Sequence, residues 1–295
     1  MNRRSLGHVI VFAMTLIALV ALGHSEERAA QPVQAAEGYA DFYGLRLWYK
    51  DTGGSGIALV LLHPATGSTA SWVFQYPALT AAGYRVITYD RRGSGRTVAD
   101  PASSAPPGSD ADDLQLLMNH LYIDRFHLVG SAAGAFCAID YALSYPARLR
   151  SLVIANSIGG VQDATFLDLG RRLRPSPQFD ALPVDFKELG PSYRASDPDG
   201  TQRWLEIYHA SLPAQEFPRM LPKNQITLSA LETITTPTLL ITGDADLYAP
   251  PPVQAQFRAR IKKAESVVIS EAGHSAYWEK PEQFNRAVLS FLKKH

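Results

Sequence analysis

A short run of small residues carries the first chemical signal in this chain. Phe126-His127-Leu128-Val129 leads straight into Gly130-Ser131-Ala132-Ala133-Gly134 and then into a helical pattern. Strand, Gly-x-x-x-Gly and helix together make a frame in which the chain turns sharply and holds up its middle residue for nucleophilic attack on a carbonyl. Small residues are needed on both sides because the helix packs close to the strand. Here the middle residue is Ala132, and a methyl group cannot attack. The alternative hydroxyl is Ser131, but using it moves the frame to Val129–Ala133 and puts bulky Val129 where a small residue is wanted. Other chemistries find less support. The eight histidines do not cluster at metal-ligand spacing, so neither metal nor cofactor is expected. Gly93-Ser94-Gly95-Arg96-Thr97 lacks the lysine and the glycine spacing of a phosphate loop.

The elements around this frame alternate. Leu45 to Lys50 reads as a half-buried strand, and Ile57 to Leu62 as a strand covered on both faces. Tyr84 to Tyr89, Phe126 to Val129, Leu152 to Ala155, Thr238 to Thr242 and Ser266 to Ile269 follow as strands. Helices are expected over Trp72–Ala82, over Asp112–Leu121 with Asp110 as N-cap, over Ala135–Tyr145, and over Pro281–Lys293. This alternation implies an α/β fold, a mostly parallel sheet with helices on both faces. From about Gly159 to Thr235 no strand pattern appears. Helical pieces at Ala164–Leu173, Gly200–Leu212 and Ala214–Leu221, punctuated by prolines, read as a helical cap over a site. The expected division is 1–35 as a signal peptide and short N-terminal segment, 36–158 and 236–295 as the two parts of the core, and 159–235 as the cap.

The chain has 295 residues, 46% hydrophobic and 19% charged, with 28 basic and 28 acidic side chains. This hydrophobic fraction argues against disorder, and the balanced charge against a nucleic-acid partner. Arg3 and Arg4 precede an almost wholly apolar run, Val9 to Leu22, which is short for a membrane span and fits the core of an export signal. Cleavage is expected after Ala21-Leu22-Gly23 or after Val33-Gln34-Ala35. That leaves no stable membrane span and puts the protein in the periplasm or the medium. The single Cys137 lies in a helical apolar segment and reads as core.

These motifs, in this order, resemble the α/β-hydrolase superfamily, in its lidded branch that acts on small molecules. The resemblance covers nearly all of the chain after Gly38. It implies that Leu239–Asp246 carries the acid, with Asp246 orienting a histidine and Asp244 serving the turn as the runner-up. It implies that Ala272-Gly273-His274-Ser275 carries that histidine, and that the backbone N–H groups of Ala65 and Ala133 form an oxyanion hole, Ala65 lying in Leu62-His63-Pro64-Ala65-Thr66-Gly67. Asp90–Arg96 matches a structural turn of the family. Trp72, Tyr76, Trp204, Tyr208 and Trp278 are candidates to line a pocket. The implied protein is an exported enzyme that cleaves a small apolar carbonyl compound: an ester, a lactone, or a C–C bond next to a carbonyl. With alanine at the nucleophile position four readings stay open. The nucleophile is displaced to Ser131; or His274 acts as a base on water or substrate without a covalent intermediate; or the protein is an inactive relative that binds a small ligand; or an alanine has been placed in an ordinary serine hydrolase.

Overall fold

Apolar runs bounded by turns become the strands of one sheet. In the computed structural model, residues 33–100, 108–213 and 220–295 are described; the export segment over 1–32 and most of the helix expected over 214–221 lie outside them. The strands are β1 (Ala36–Phe42), β2 (Leu45–Asp51), β3 (Ala58–Leu62), β4 (Arg85–Tyr89), β5 (Val98–Ala99), β6 (Phe126–Ser131), β7 (Leu149–Ala155), β8 (Thr238–Gly243) and β9 (Ala264–Ile269). Their order is β1-β2-β4-β3-β6-β7-β8-β9, with β5 beside β2. From β4 to β9 along that order all pairs are parallel; β1, β2 and β5 pair antiparallel at one edge. Strand β1 is absent from the expectations above. It buries only Ala40 fully and has no apolar face to reveal it.

The helices are α1 (Gln75–Ala81), α2 (Asp110–His120), α3 (Ala133–Ser144), α4 (Ala164–Leu173), α5 (Val184–Glu188), α6 (Pro191–Ser196), α7 (Pro198–Ser211), α8 (Leu228–Leu231), α9 (Pro251–Arg260), α10 (Ala276–Glu279) and α11 (Pro281–Leu292). Two expectations need correction. The N-cap of α2 is Ser109, whose hydroxyl accepts from the Asp112 N–H at 3.1 Å; Asp110 is already helical and favours the positive end of the helix. The stretch Trp72–Ala82 is not one helix, because a reciprocal Ser68–Ser71 cap makes a separate tight turn over Thr69–Trp72 before α1 begins.

Strand alternation sorts the core into two layers. Ala58, Val60, Leu62, Leu128, Leu152, Ile154 and Leu240 face a cluster with α2, α3 and α9. Leu59, Leu61, Val129, Val153, Ala155, Leu239 and Ile241 face the other, with α10 and α11. A sheet covered on both faces needs the continuous apolar strands seen in the sequence. The chain runs from β3 outward to β4, then returns to the other side of β3 at β6. At such a reversal the loops leaving the carboxyl ends of neighbouring strands diverge and open a crevice. Between β7 and β8 the described chain is helical only, from α4 to α8.

Candidate active site

The turn after β6 is held open by force of packing. Ala132 adopts φ 50° and ψ −114°, a conformation costly for a residue with a Cβ, at about 1–3 kcal/mol. Its N–H donates to the Ala155 carbonyl at 2.9 Å, and its own carbonyl accepts from Ser157 Oγ at 2.7 Å. The flanking glycines explain the motif. A Cβ on Gly130 would lie 2.6 Å from the Ala135 Cα, and one on Gly134 would lie 2.2 Å from the Leu62 carbonyl oxygen. Helix α3 therefore starts at Ala133, two residues before the apolar pattern marks it, with its first N–H left unpaired as at any helix start. Ser131 is fully buried as the last residue of β6, with its hydroxyl unpartnered among the described residues, and it does not line the cavity described below.

His274 follows β9, and Asp246 follows β8. The structure brings them together: His274 Nδ1 lies 2.9 and 3.0 Å from the two Asp246 oxygens. With a carboxylate on that side, Nδ1 carries the proton in the neutral ring and Nε2 keeps its lone pair. Asp246 also accepts from the N–H groups of Tyr248 and Ala249 and from Asn156 Nδ2. Asn156, at φ 47°, donates to the Gly273 carbonyl as well, so it ties the acid to the histidine loop. Burial penalises the Asp246 carboxylate, but His274 and these hydrogen bonds outweigh it and hold its pKa below the usual range. Burial also opposes charge on His274, yet Asp246 and Glu188 outweigh it and hold its pKa above the ordinary imidazole value. Asp244 is exposed and accepts from Ser270 and the Glu271 N–H, so it serves the turn.

The loop after β3 is fixed by a structural histidine. His63 Nδ1–H donates to the Pro64 carbonyl at 2.7 Å and Nε2 accepts from the Arg91 N–H at 3.0 Å. Burial drives its pKa down to about 3, so it stays neutral. The N–H groups of Ala65 and Ala133 donate to no carbonyl of the described residues. Both residues line a cavity of about 380 Å³, together with Ala132 and His274.

The other walls of that cavity were invisible in the sequence. Phe136 and Ile158 make it apolar; Arg174, Glu188 and Tyr248 do not. Tyr248 packs its ring on His274, 4.4 Å between centroids, and the Arg174 guanidinium lies over the Tyr248 ring at 5.5 Å. Glu188, at the end of α5, is 6% exposed, and among the described residues its carboxylate has only the Thr66 hydroxyl, at 3.4 Å, as a hydrogen-bond partner. Burial pushes its pKa up. No residue spacing in α5 announces it, because a helical excursion can be docked on the sheet in many ways. The five aromatic candidates are elsewhere. Trp72, Trp204 and Trp278 are buried in the core layer that holds α10 and α11, with Tyr76 and Tyr208 packed against it. Aromatic residues at helical spacing served the core here, not the pocket.

The arrangement holds over one cavity an oriented imidazole, two amides that donate to no carbonyl of the described residues, and a methyl group at the turn's central position. It is competent for proton transfer and for stabilising charge on a carbonyl oxygen. Among the described residues no helix is long and apolar enough to cross a membrane. Comparison with known proteins bears on the class. Residues 59–287 match the profile described as the Alpha/beta hydrolase family. A 2-hydroxy-6-oxononadienedioate/2-hydroxy-6-oxononatrienedioate hydrolase of Burkholderia vietnamiensis (strain G4 / LMG 22486) is 30% identical over 300 aligned positions, covering 92% of this chain and 98% of its own. A thermophilic esterase from Thermogutta terrifontis superposes with a TM-score of 0.69 at 25% identity, over 88% of this chain and 98% of that one. An enol-lactonase from Burkholderia xenovorans LB400 superposes with 0.67 at 21% identity, over 86% and 99%, a likeness of fold.

Proposed function

The chain belongs to the α/β-hydrolase family, and from that premise we propose that it is an enzyme cleaving a small carbonyl compound, an ester, a lactone or a C–C bond next to a carbonyl, without a covalent intermediate. His274 acts as the base on water, Asp246 orients it, and the Ala65 and Ala133 amides receive the developing oxyanion. The observation that carries this reading is the His274–Asp246 pair, with Nδ1 held at 2.9 Å and the ring lining the same cavity as Ala132. A pocket that merely held a ligand has no use for an imidazole whose tautomer is fixed by a buried carboxylate. Loss of the nucleophile leaves the oxyanion hole, which together with substrate binding sustains about 10³–10⁴-fold acceleration over water in hydrolases stripped of their serine. The 6-oxo group in the name of the Burkholderia vietnamiensis relative supports a carbonyl-bearing substrate. Phe136 and Ile158 favour an apolar body on it.

The test is turnover of a panel of small esters, lactones and diketones by the protein and by His274→Ala. The variant is expected to lose at least about 100-fold in kcat/KM. Unchanged turnover on the best substrate would remove His274 from the reaction. Export belongs to the same reading and is supported by Arg3, Arg4 and the run Val9–Leu22. N-terminal sequencing of the protein recovered outside the cytoplasm is expected to start after Gly23 or Ala35, and an intact Met1 would count against it.

A further inference from the structure

The segment that ends α5 is clamped to the histidine loop. The Ser275 N–H donates to the Glu188 carbonyl at 2.9 Å. One carboxylate, Glu279, accepts from the Gly190 N–H at 2.8 Å and from the Gly273 N–H at 2.9 Å. Gly190 and Gly273 touch: a Cβ on Gly273 would lie 2.4 Å from the Gly190 N, and one on Gly190 would lie 2.9 Å from the Gly273 N. This clamp holds Glu188 in the wall of the cavity that His274 and Ala132 also line, with its carboxylate beside the Thr66 hydroxyl of the same wall. Around it are Thr66, Arg174 and Tyr248 in the cavity wall, with Lys187, His274 and Asp246 acting on its charge. Among the described residues neither Arg174 nor Lys187 forms an ion pair with it, and the Thr66 hydroxyl is its one side-chain hydrogen-bond partner.

We propose that Glu188 is the proton donor to the leaving group, working with His274 in a single displacement by water. The inference rests on the reading of the site as one that acts without a covalent intermediate. In a two-step serine mechanism the leaving group departs before water arrives, so one histidine serves both in turn. When water attacks directly, water and leaving group sit on one carbon together, and two proton transfers at two atoms call for two groups. Paired acid and base are the solution that single-displacement glycosidases use. For an ester, His274 Nε2 takes a proton from water as the water oxygen bonds to the carbonyl carbon, and the carbonyl electron pair moves onto its oxygen. As the carbonyl re-forms, the bond to the alkoxy oxygen breaks with its electron pair, and Glu188 gives that oxygen its proton. The products are acid and alcohol. His274 is left protonated and Glu188 ionised, and one proton returning from His274 to Glu188 restores the site. Burial draws the proton toward Glu188 and the facing His274 draws it away, so the two groups titrate as a pair, and the productive form is the one with the proton on Glu188 and His274 neutral.

Ethyl butyrate and 4-nitrophenyl butyrate separate this role from a structural one, because nitrophenolate leaves without a proton. Glu188→Gln is expected to lower kcat about 100-fold on the ethyl ester and less than about threefold on the nitrophenyl ester. The alkaline fall of the ethyl-ester pH profile is expected to vanish, leaving a rise to a plateau set by His274. Glu188→Asp, which keeps the acid on a shorter arm, is expected to keep the alkaline fall; thermal melts follow the folding of both. Equal losses on both esters, in whichever variant folds, would reduce Glu188 to a structural part of the loop. No loss on either would remove it altogether. If the unaltered protein turns over neither ester, the ester branch of the proposed function falls, and with it Glu188 as donor to an alkoxy leaving group.

Discussion

The turn at Ala132 and the loop at His274 meet in one cavity, and each is held by close packing of glycine against backbone. Gly134 lets α3 approach the end of β3, and Gly273 lets the histidine loop approach Gly190. Each also accepts a cost: positive φ at Ala132 in the first, a buried carboxylate at Glu279 in the second. They end differently. The loop presents an imidazole with its tautomer fixed, while the turn presents a methyl group. The contrast separates the shape of such a site from its nucleophile. What the strained turn still delivers is the Ala133 N–H and open space above Ala132, which is what a water-attack mechanism needs.

Four substitutions press on this contrast, the largest effect first. Asp246→Asn attacks the loop alone. It frees the His274 tautomer, and kcat on the best substrate is expected to fall about 10³–10⁴-fold with the melting curve still cooperative. A loss under tenfold would show that Asp246 is not the orienter. Gly134→Ala attacks the turn. Its Cβ meets backbone 2.2 Å away, and urea titration should register a loss of about 3 kcal/mol. A loss under about 0.5 kcal/mol would mean that the helix start yields easily.

Glu279→Gln probes the cost in the loop through pH. Burial raises the Glu279 pKa from 4.5 to about 7. Between those values the folded state binds the extra proton, so this group's contribution is fully present below pH 4.5 and is lost as pH rises to about 7. The variant is expected to flatten that part of the stability curve by a few kcal/mol, order of magnitude. An unchanged slope would place the Glu279 titration elsewhere. Ala132→Gly probes the cost in the turn. Relief of strain is offset by backbone entropy, and a net gain of about 1 kcal/mol or less is expected in thermal melts. A clear loss would mean that the methyl packs usefully.

Much of this was legible because it is local. Gly130 and Gly134 mark the sharp turn by their spacing, and the apolar runs Ile57–Leu62 and Thr238–Thr242 mark the buried strands β3 and β8, with only Ile57 left outside. The resemblance put Asp246 ahead of Asp244, and the structure pairs His274 with Asp246 while Asp244 accepts from Ser270 and the Glu271 N–H. Strand β1 was missed because its exposed residues carry no alternation. Glu188, Arg174 and Tyr248 were missed for a different reason. Two of them come from the helical excursion and the third from a loop, and only tertiary docking brings them to His274. The Glu279 clamp is equally non-local, joining Gly190 to Gly273 through side chain to backbone bonds.

The central claim is that the oxyanion amides and the His274–Asp246 pair are assembled and lack only a nucleophile. Intact-mass analysis after fluorophosphonate treatment tests it directly, on the protein, on Ala132→Ser, and on Ala132→Ser combined with His274→Ala. The account predicts no adduct on the unaltered protein, one adduct on Ala132→Ser mapped to position 132, and none once His274 is removed. An adduct on Ser131 of the unaltered protein, or none on Ala132→Ser, would contradict it.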